Sequence, residues 1–324
     1  MLELEDKWTW DFWFARRGDE HHMFYLQAPR SLGDEKLRHR KATIGHAVSS
    51  DLREWSILPD ALHPGPAESW DDMATWTGCV IEKDGLWYMF YTGISSAENG
   101  LVQRIGVAWS DDLTVWHKHG DNAIMEADPR WYEHLGEAEW HNQAWRDPWV
   151  YFDDEAGLYR VLITARSRTG ETSTRGVIAH GTSTDLFHWE IGPPVAEPRV
   201  SGDLEVPQIL TIGSRSYVLF CCYRWDEQAS GGLAGPTIAY LVGDSPAGPF
   251  RWEPENGVLV EGKEGWYSAR AVEDTQGELQ MLAWRRLDEL GEFVGNISDP
   301  VPFRIEPSGL SLRGSFSPLI EAQQ

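Results

Sequence analysis

The sequence predicts an all-β protein, a five-bladed β-propeller in which each blade is a four-stranded antiparallel sheet. Two recurring segments predict this fold, one with the pattern Ser-x-Asp-Leu before a tryptophan and one rich in aromatic and aliphatic residues. They repeat with a period of roughly 60 to 70 residues, a length that suits four short strands and their turns. The chain has no amphipathic helical pattern of useful length that would compete with this interpretation.

The Ser-x-Asp-Leu segment marks the loop that leads into the last strand of a blade. It occurs three times, with a degenerate fourth copy, at 49–55, 110–116, 183–189 and 244–252. Each copy follows a short β-prone run, so the loop joins two strands of one unit. We expect the tryptophan of each copy to pack the blades. These residues are Trp55, Trp116, Trp189 and Trp252.

The aromatic-rich segment predicts the second strand of every blade. It occurs five times, at 23–26, 88–91, 159–163, 217–220 and 279–283. Because these copies follow turn-forming residues, each unit reads as strand, tight turn, strand, longer loop, strand, Ser-x-Asp-Leu loop and strand. Five such units occupy the chain, so we expect 1–324 to form a single catalytic propeller domain without a C-terminal β-sandwich. A sandwich fold with chance similarities is the alternative, but it needs no repeat.

The charge of the chain restricts its partners. A formal net charge of −23 argues against nucleic acid, whose phosphates need a basic face. It argues equally against anionic lipid surfaces and polyanionic substrates, and no run of about 18 apolar residues predicts a membrane span. A neutral ligand such as a sugar is the partner that remains, although the acidic surface also serves solubility alone.

The N-terminus and the cysteines predict a cytoplasmic protein without a metal or organic cofactor. The first residues are acidic and lack the apolar region of a secretory signal. Cys221 and Cys222 are neighbours in sequence, Cys79 is distant, and no cysteine or histidine spacing is typical of a metal site. His21 and His22 therefore read as a solvated turn.

Three acidic residues occupy matching positions in the repeat. Asp11, Asp147 and Glu205 each lie 14 or 15 residues before equivalent positions of the aromatic-rich segment in their blades. The first strand of a propeller blade lines the central channel, so we expect the three carboxylates to converge on one pocket. Converging like charges raise at least one pKa, and glycoside hydrolysis needs one ionised carboxylate and one protonated carboxyl. Any one of these acids, taken alone, is better interpreted as a solvated residue or a strand-end cap, and the functional interpretation depends on all three occupying the same position in the repeat.

The neighbours of the three acids fit a sugar site. The segment 8–13 surrounds Asp11 with aromatic rings of the kind that stack on sugars. Arg146 places a guanidinium beside Asp147, where it can hold the carboxylate ionised or bind hydroxyls. Glu205 lies among apolar residues, a setting that raises the pKa of a carboxyl group.

These motifs resemble those of the β-fructofuranosidase clan, glycoside hydrolase families 32 and 68, along nearly the whole chain. The segment 146–148 is similar to the Arg-Asp-Pro element of the clan, and 205–207 resembles its Glu-Cys-Pro element, with Val in place of Cys. The segment 10–13 is closer to the Trp-Asp-Ser-Trp motif of family 68 than to the Asn-Asp-Pro-Asn of family 32. Weaker matches at 70–78 and 266–269 resemble a Phe-Ser-Gly and a Phe-Tyr-Ala element.

The resemblance implies a retaining mechanism on furanosidic sugars. Asp11 is then the nucleophile, Glu205 the general acid and base, and Asp147 the residue that stabilises the transition state. The expected substrate is an oligosaccharide or a small furanoside, bound by further residues of the pocket. These residues are Arg146, Trp10, Gln27, Trp70, Trp76, Thr77 and Tyr267.

Other functions remain open at the level of sequence. An inverting arabinofuranosidase or xylosidase of the family 43 type also uses two Asp and one Glu, although the Arg before Asp147 argues against it. A carbohydrate-binding propeller without catalysis and a protein-interaction propeller are rivals from other classes. The sequence leaves open the glycosidic linkage, the choice between hydrolysis and transfer, and the oligomeric state.

Overall fold

The computed structural model describes residues 1–137, 140–213, 215–222, 236–253, 257–260, 265–306 and 309–316. Within these ranges the protein is almost wholly β-structure, in five antiparallel sheets that follow one another along the chain. The predicted five-bladed propeller is confirmed. Its assignment to a single domain over 1–324 stays a prediction.

The first three blades are simple four-stranded meanders. Blade 1 contains β1 (Lys7–Arg17), β2 (Glu20–Pro29), β3 (Thr43–Ser49) and β4 (Ser56–Leu62). Blade 2 contains β5 (Ala74–Lys83), β6 (Leu86–Ile94), β7 (Gln103–Ser110) and β8 (His117–Lys118). Blade 3 contains β9 (Trp145–Asp153), β10 (Leu158–Arg166), β11 (Gly176–Ser183) and β12 (Glu190–Ala196).

The last two blades each carry an additional short strand. Blade 4 contains β13 (Glu205–Ile212), β14 (Arg215–Cys222), β15 (Thr237–Gly243) and β16 (Arg251–Trp252), and β17 (Val258–Val260) also pairs with β15. Blade 5 contains β18 (Trp266–Glu273), β19 (Leu279–Leu287), β21 (Val301–Glu306) and β22 (Gly309–Leu312), and β20 (Phe293–Ile297) also pairs with β19. The described helices are short 3-10 turns at Arg30–Leu32, Glu35–Arg40 and Thr172–Thr174. No helix in these ranges has the length and apolar character that a membrane span requires.

The innermost strands of the five blades form a closed ring. β1, β5, β9, β13 and β18 each contact the next in this order, and β18 contacts β1. The ring is closed by a pair of backbone hydrogen bonds of 2.9 Å between Leu2 and Ile297 of β20. The channel that these strands surround is therefore lined by residues from all five blades.

The Ser-x-Asp-Leu segment is a hydrogen-bonded loop with the same geometry in blades 1, 2 and 3. In blade 2, the Ser110 hydroxyl oxygen accepts the backbone N–H of Leu113 at 2.9 Å, and one Asp112 oxygen accepts the N–H groups of Thr114 and Val115. Leu113 has φ of 68°, in the left-handed region. These hydrogen bonds from the backbone to the serine and aspartate side chains stabilise a conformation that leucine alone disfavours.

The tryptophans that end these segments are packing residues, as predicted. Trp116 of blade 2 meets Phe24 of blade 1 edge-on at 5.5 Å between ring centroids, and Trp189 of blade 3 meets Phe90 of blade 2 at 5.8 Å. Trp55 and Trp252 instead pack against aromatic rings of their own blades. Contacts of this kind between blades fix the angle at which neighbouring innermost strands face the channel.

Candidate active site

Every innermost strand is interrupted by a β-bulge at a corresponding level. A bulge inserts an unpaired residue, bends the strand and re-aims a side chain. In four strands the interruption falls at Trp10/Phe12 of β1, Trp76/Gly78 of β5, Glu205/Gln208 of β13 and Tyr267/Arg270 of β18. In β9 it lies opposite Leu162/Thr164 of the paired strand β10. Asp11, Asp147 and Glu205 lie at three of these bulges, so their side chains leave the regular alternation of the strand.

The bulges impose unusual backbone geometry on the residues that form them. Asp147, Val206 and Ser268 have φ of 57°, 55° and 50°, in the left-handed region that residues with a side chain seldom adopt. In blade 2 the bulge instead requires a glycine, because a Cβ on Gly78 would lie 2.0 Å from the Phe90 carbonyl oxygen. Backbone strain of this kind is typical of functional sites.

The three acids share one cavity of about 350 Å³ at this level of the channel. Its lining contains polar and aromatic side chains from the innermost strands and from the loops that precede them. The lining residues are Trp10, Asp11, Leu26, His39, Trp76, Thr77, Gln103, Trp140, His141, Asn142, Arg146, Asp147, Asp203 and Glu205. The convergence that the sequence predicts is therefore present.

Asp11 is held by a hydrogen-bond donor on each of its two oxygens. The Thr77 hydroxyl donates to Oδ2 at 2.8 Å, and the Trp284 indole N–H donates to Oδ1 at 2.9 Å. Thr77 comes from the neighbouring blade 2 and Trp284 from the last blade, which closes the ring against β1. Two such donors fix the orientation of the Asp11 carboxyl group.

Asp147 is the most deeply buried of the three acids, with 3% of its surface exposed. Its Oδ2 accepts the Thr164 hydroxyl and the Val206 backbone N–H, both at 3.0 Å. Burial raises the pKa of Asp147 to about 7, in spite of the adjacent Arg146 guanidinium, which acts to lower it. The carboxylates of Asp11 and Glu205 add to the increase.

Glu205 is clamped between two donors at the start of β13. Arg146 donates through Nη2 to Oε1 at 2.9 Å, and the Tyr267 hydroxyl makes a short hydrogen bond to Oε2. Burial raises the pKa of Glu205, Arg146 and Tyr267 act to lower it, and the nearby Asp203 carboxylate also raises it. A carboxyl group whose pKa is raised can carry a proton near neutral pH, as a general acid must.

Arg146 links the acidic groups of the cavity. Besides Glu205, its Nη2 lies 3.2 Å from Asp203 Oδ1, and its Nε lies 3.7 Å from Asp147 Oδ2. Burial alone would lower the pKa of Arg146, but the three carboxylates around it outweigh burial and raise this pKa. Asp203 also pairs with Arg166 at 3.1 Å, which extends the charged network toward the loop before β9.

Most of the binding residues expected from the sequence lie at the cavity. Trp10, Trp76, Thr77 and Arg146 line it, and Tyr267 reaches it through its hydrogen bond to Glu205.

Two of the expected residues lie outside the cavity lining. Gln27 is buried, accepts a hydrogen bond from Lys7 Nζ at 3.1 Å and donates to the Thr43 hydroxyl at 3.2 Å, between strands of blade 1. Trp70 packs inside blade 2, with its ring 5.6 Å from that of Tyr91, in space left by the missing side chain of Gly93. Both residues support a blade.

Sequence reasoning missed several residues of the site. Asp203 lies two positions before Glu205, and this spacing places a second acid at the same strand start. Trp140, His141 and Asn142 come from the loop before β9, where no repeat pattern guides the assignment. Trp284 is 273 positions from its partner Asp11, and no local signal joins them.

The site contains the groups for acid–base and nucleophilic chemistry at carbon. It holds a carboxylate oriented by two donors, a second carboxyl group with a raised pKa, and a third, buried acid beside an arginine. In the parts of the chain that the structure describes, no three His, Cys, Asp or Glu side chains are arranged to hold a metal ion.

Comparison with known proteins identifies the family. The sequence model described as "Glycosyl hydrolases family 32 N-terminal domain" matches residues 13–292. The chain belongs to glycoside hydrolase family 32. The family match begins two residues after Asp11. It therefore covers the other two acids, Asp147 and Glu205, most of blade 1, all of blades 2 to 4 and the first two strands of blade 5.

Curated relatives of this family 32 chain include hydrolases of fructosides. It is 35% identical to a sucrose-6-phosphate hydrolase of Zymomonas mobilis over 277 residues, which are 82% of this chain and 50% of the relative. It is 26% identical to a fructan 6-exohydrolase of Beta vulgaris over 197 residues, 59% of this chain and 30% of the relative. The chain thus spans a third to a half of the length of these curated relatives.

Solved structures share the fold. An inulosucrase from Halalkalicoccus jeotgali bound to kestose superimposes with a TM-score of 0.77 at 22% identity, covering 96% of this chain and 88% of that one. A family 32 β-fructofuranosidase of Bombyx mori gives a TM-score of 0.72 at 17% identity, covering 97% of this chain and 64% of that one. At these identities the likeness concerns the propeller.

Proposed function

We propose that this protein is a retaining glycosidase that acts on β-fructofuranosides, with Asp11 as nucleophile, Glu205 as general acid and base, and Asp147 as transition-state stabiliser. The observation that carries the proposal is the placement of these three acids on the bulges of three innermost strands around one cavity. Membership of family 32 and the names of the curated relatives support the choice of a fructoside.

In the first step, Asp11 attacks the anomeric carbon while Glu205 gives its proton to the leaving oxygen. The bond between Asp11 and the sugar forms as the glycosidic bond breaks. Thr77 and Trp284 orient the attacking carboxylate. The raised pKa of Glu205, which burial causes, supplies the protonated carboxyl that the leaving group needs.

In the second step, Glu205 takes a proton from water or from an acceptor sugar, whose oxygen then attacks the same carbon. The bond to Asp11 breaks and the configuration of the substrate is retained. Asp147 stabilises the positive charge that develops on the sugar ring in both transition states and accepts hydrogen bonds from its hydroxyls. The partly exposed rings of Trp76 and Trp140 provide faces for the sugar, while Trp10 is buried in the cavity wall.

The test is release of fructose from sucrose, 1-kestose, inulin and levan, with aryl arabinofuranosides included in the panel. Asp11→Ala and Glu205→Ala should each lose activity by at least about a thousandfold, since each removes one partner of the double displacement. The matched control is Glu155→Ala, an exposed acid in the turn of blade 3, which should leave turnover unchanged.

The outcomes separate the candidate functions. Proton NMR of the first-formed product should show retained configuration, and an inverted product would establish the arabinofuranosidase or xylosidase type of mechanism. Product analysis at high sucrose concentration distinguishes hydrolysis from fructosyl transfer. Sugar binding in calorimetry without turnover by the wild type would instead identify a carbohydrate-binding propeller. An active Asp11→Ala variant would refute the assigned nucleophile.

We also propose that the protein is located in the cytoplasm. The buried free thiols Cys79, Cys221 and Cys222 are compatible with a reducing compartment. Immunoblots of fractionated cells of the source organism would test it, and enrichment in the extracellular fraction would refute it.

A further inference from the structure

Arg270 lies in the central channel on the far side of the catalytic cavity. It is fully buried, and it lines a second cavity of about 310 Å³ together with Phe14 and Gln208. Phe14 and Gln208 each follow a catalytic acid by three positions on β1 and β13. Arg270 therefore lines a part of the channel that lies further along β1 and β13 than the acids.

The guanidinium of Arg270 connects three other blades. Its Nε donates to the Phe12 carbonyl oxygen of blade 1 at 3.2 Å, and its Nη1 donates to the Val206 and Pro207 carbonyl oxygens of blade 4 at 3.0 and 2.8 Å. Its carbon Cζ lies 4.9 Å from the ring centroid of Trp149 in blade 3. A single side chain of blade 5 thus contacts blades 1, 3 and 4.

The carbonyl groups that Arg270 binds adjoin the two groups proposed to make and break bonds. Phe12 directly follows Asp11, and Val206 directly follows Glu205. Val206 and Pro207 lie within the bulge of β13, where the ladder to β14 is interrupted. A buried carbonyl outside the ladder needs another donor, and the arginine fork can serve both blades at once because its donors are planar and fixed.

The charge of Arg270 is not neutralised by a salt bridge. In the portion of the chain that the structure covers, no carboxylate oxygen forms an ion pair with it within 4.0 Å, and its Nη2 has no hydrogen-bond partner. Asp147 and Asp11 are nevertheless close enough to raise the pKa of Arg270, which burial lowers to about 10. The side chain is therefore cationic at neutral pH and acts electrostatically on both aspartates.

We propose that Arg270 is a positioning residue for the glycosidase reaction. Through Phe12 and Val206 it fixes the backbone that carries Asp11 and Glu205, and its unpaired positive charge acts on the neighbouring Asp11 and Asp147 carboxylates. The expected effect of Arg270 on kcat rests on the proposed function. The expected effect of Arg270 on the titration of Asp147 is independent of the proposed function.

The test compares Arg270→Lys, which keeps the charge and loses the fork, with Arg270→Met, which loses both. Arg270→Lys should lower kcat about tenfold, and Arg270→Met about a hundredfold, because displacing a catalytic carboxylate slightly has large effects on rate. Carbon-13 NMR of the Asp147 carboxyl, assigned with Asp147→Asn, should show a pKa raised by roughly one unit in Arg270→Met and unchanged in Arg270→Lys. A residue that merely supports the fold would not move this titration.

The control is Arg160→Met. Arg160 is a largely buried arginine of blade 3 that pairs with Asp153 away from the cavity, so its loss should change neither kcat nor the titration of Asp147. A folded Arg270→Met variant with the wild-type titration would overturn the proposal. If Arg270→Met does not fold, Arg270→Lys tests the proposal instead. A wild-type kcat in Arg270→Lys would overturn the proposal, and a reduced kcat with an unchanged titration of Asp147 would support it. The titration needs no turnover, so an inactive wild type would refute the proposed function alone.

Discussion

Replacing Asp147 by asparagine should make the protein more stable while abolishing its activity. Thr164 and Val206 both donate to Oδ2 of Asp147. An asparagine can keep both bonds with its amide oxygen and place its nitrogen where Oδ1 was. The left-handed φ of 57° at this position is also one that asparagine adopts readily. The substitution therefore removes the buried charge with little change in shape.

The size of the effect follows from the pKa. Burial raises the pKa of Asp147 from 3.8 to about 7, so at pH 8 the folded state contains a carboxylate whose ionisation is less favourable than in the unfolded chain. At about 1.4 kcal/mol per pKa unit, the ionised group costs about 4 kcal/mol of folding free energy at pH 8. Because the folded state binds the proton more tightly, this cost is absent below about pH 4 and grows as the pH rises to about 7.

The assay is urea unfolding of the wild type and Asp147→Asn between pH 4.5 and 8. The stability advantage of the variant should be small at pH 4.5 and should level off at about 4 kcal/mol above pH 7. Asp153→Asn is the control in the same strand. Although burial acts to raise the pKa of Asp153, its hydrogen bond and ion pair with Arg160 hold it below its usual value of 3.8. This variant should therefore be destabilised by a nearly constant amount between pH 4.5 and 8, because the stabilisation by the carboxylate is lost only below about pH 4.

An advantage of Asp147→Asn that does not change with pH would refute this reasoning. So would a variant less stable than the wild type at pH 8, since burial would then not be the dominant influence on the carboxyl group. Activity should be lost in either case, because the neutral amide cannot stabilise a developing positive charge.

Three further changes test the network around Glu205 and the repeated loop. Asp203→Asn removes a neighbouring negative charge and should lower the pKa of Glu205, which moves the alkaline limb of the kcat/KM profile to lower pH by about 0.5 to 1 unit. Tyr267→Phe removes a donor to the ionised Glu205 and should move the same limb to higher pH by a similar amount; shifts in one direction for both variants would contradict the assigned network. Ser110→Ala removes the acceptor for the Leu113 N–H and should lower the free energy of unfolding by about 1 to 2 kcal/mol in urea titrations, with unchanged turnover. An unchanged unfolding midpoint in Ser110→Ala would show that the hydrogen bond from the Leu113 N–H to Ser110 does not stabilise the loop.

The sequence predicted the fold because a propeller repeats its local signals. The Ser-x-Asp-Leu loop is encoded within a few residues, by a serine and an aspartate that bind the backbone of the leucine and of the residues after it. Since every blade must face the same channel, equivalent positions in the repeat are also close in space. This relation is why three acids far apart in the chain could be assigned to one pocket.

The parts of the site that escaped prediction depend on contacts without a local pattern. The bulges determine which side chains point into the cavity. A prediction based on strict alternation of side chains along a strand does not detect the extra residue of a bulge. Gln27 and Trp70 were expected in the pocket together with the resemblance to the clan, but hydrogen bonds and ring packing hold them inside their blades. The position of Trp140 depends on a loop, and its ring stacks on the Arg166 guanidinium at 4.4 Å.

The contact between Trp284 and Asp11 gives the circular architecture a consequence for synthesis. During synthesis of this chain, Asp11 is made 273 residues before the indole that donates a hydrogen bond to it. A nascent chain that has completed four blades already contains all three acids, but one oxygen of its Asp11 still lacks its indole donor. The Asp11 carboxyl group therefore acquires both of its hydrogen-bond donors only when blade 5 docks on blade 1.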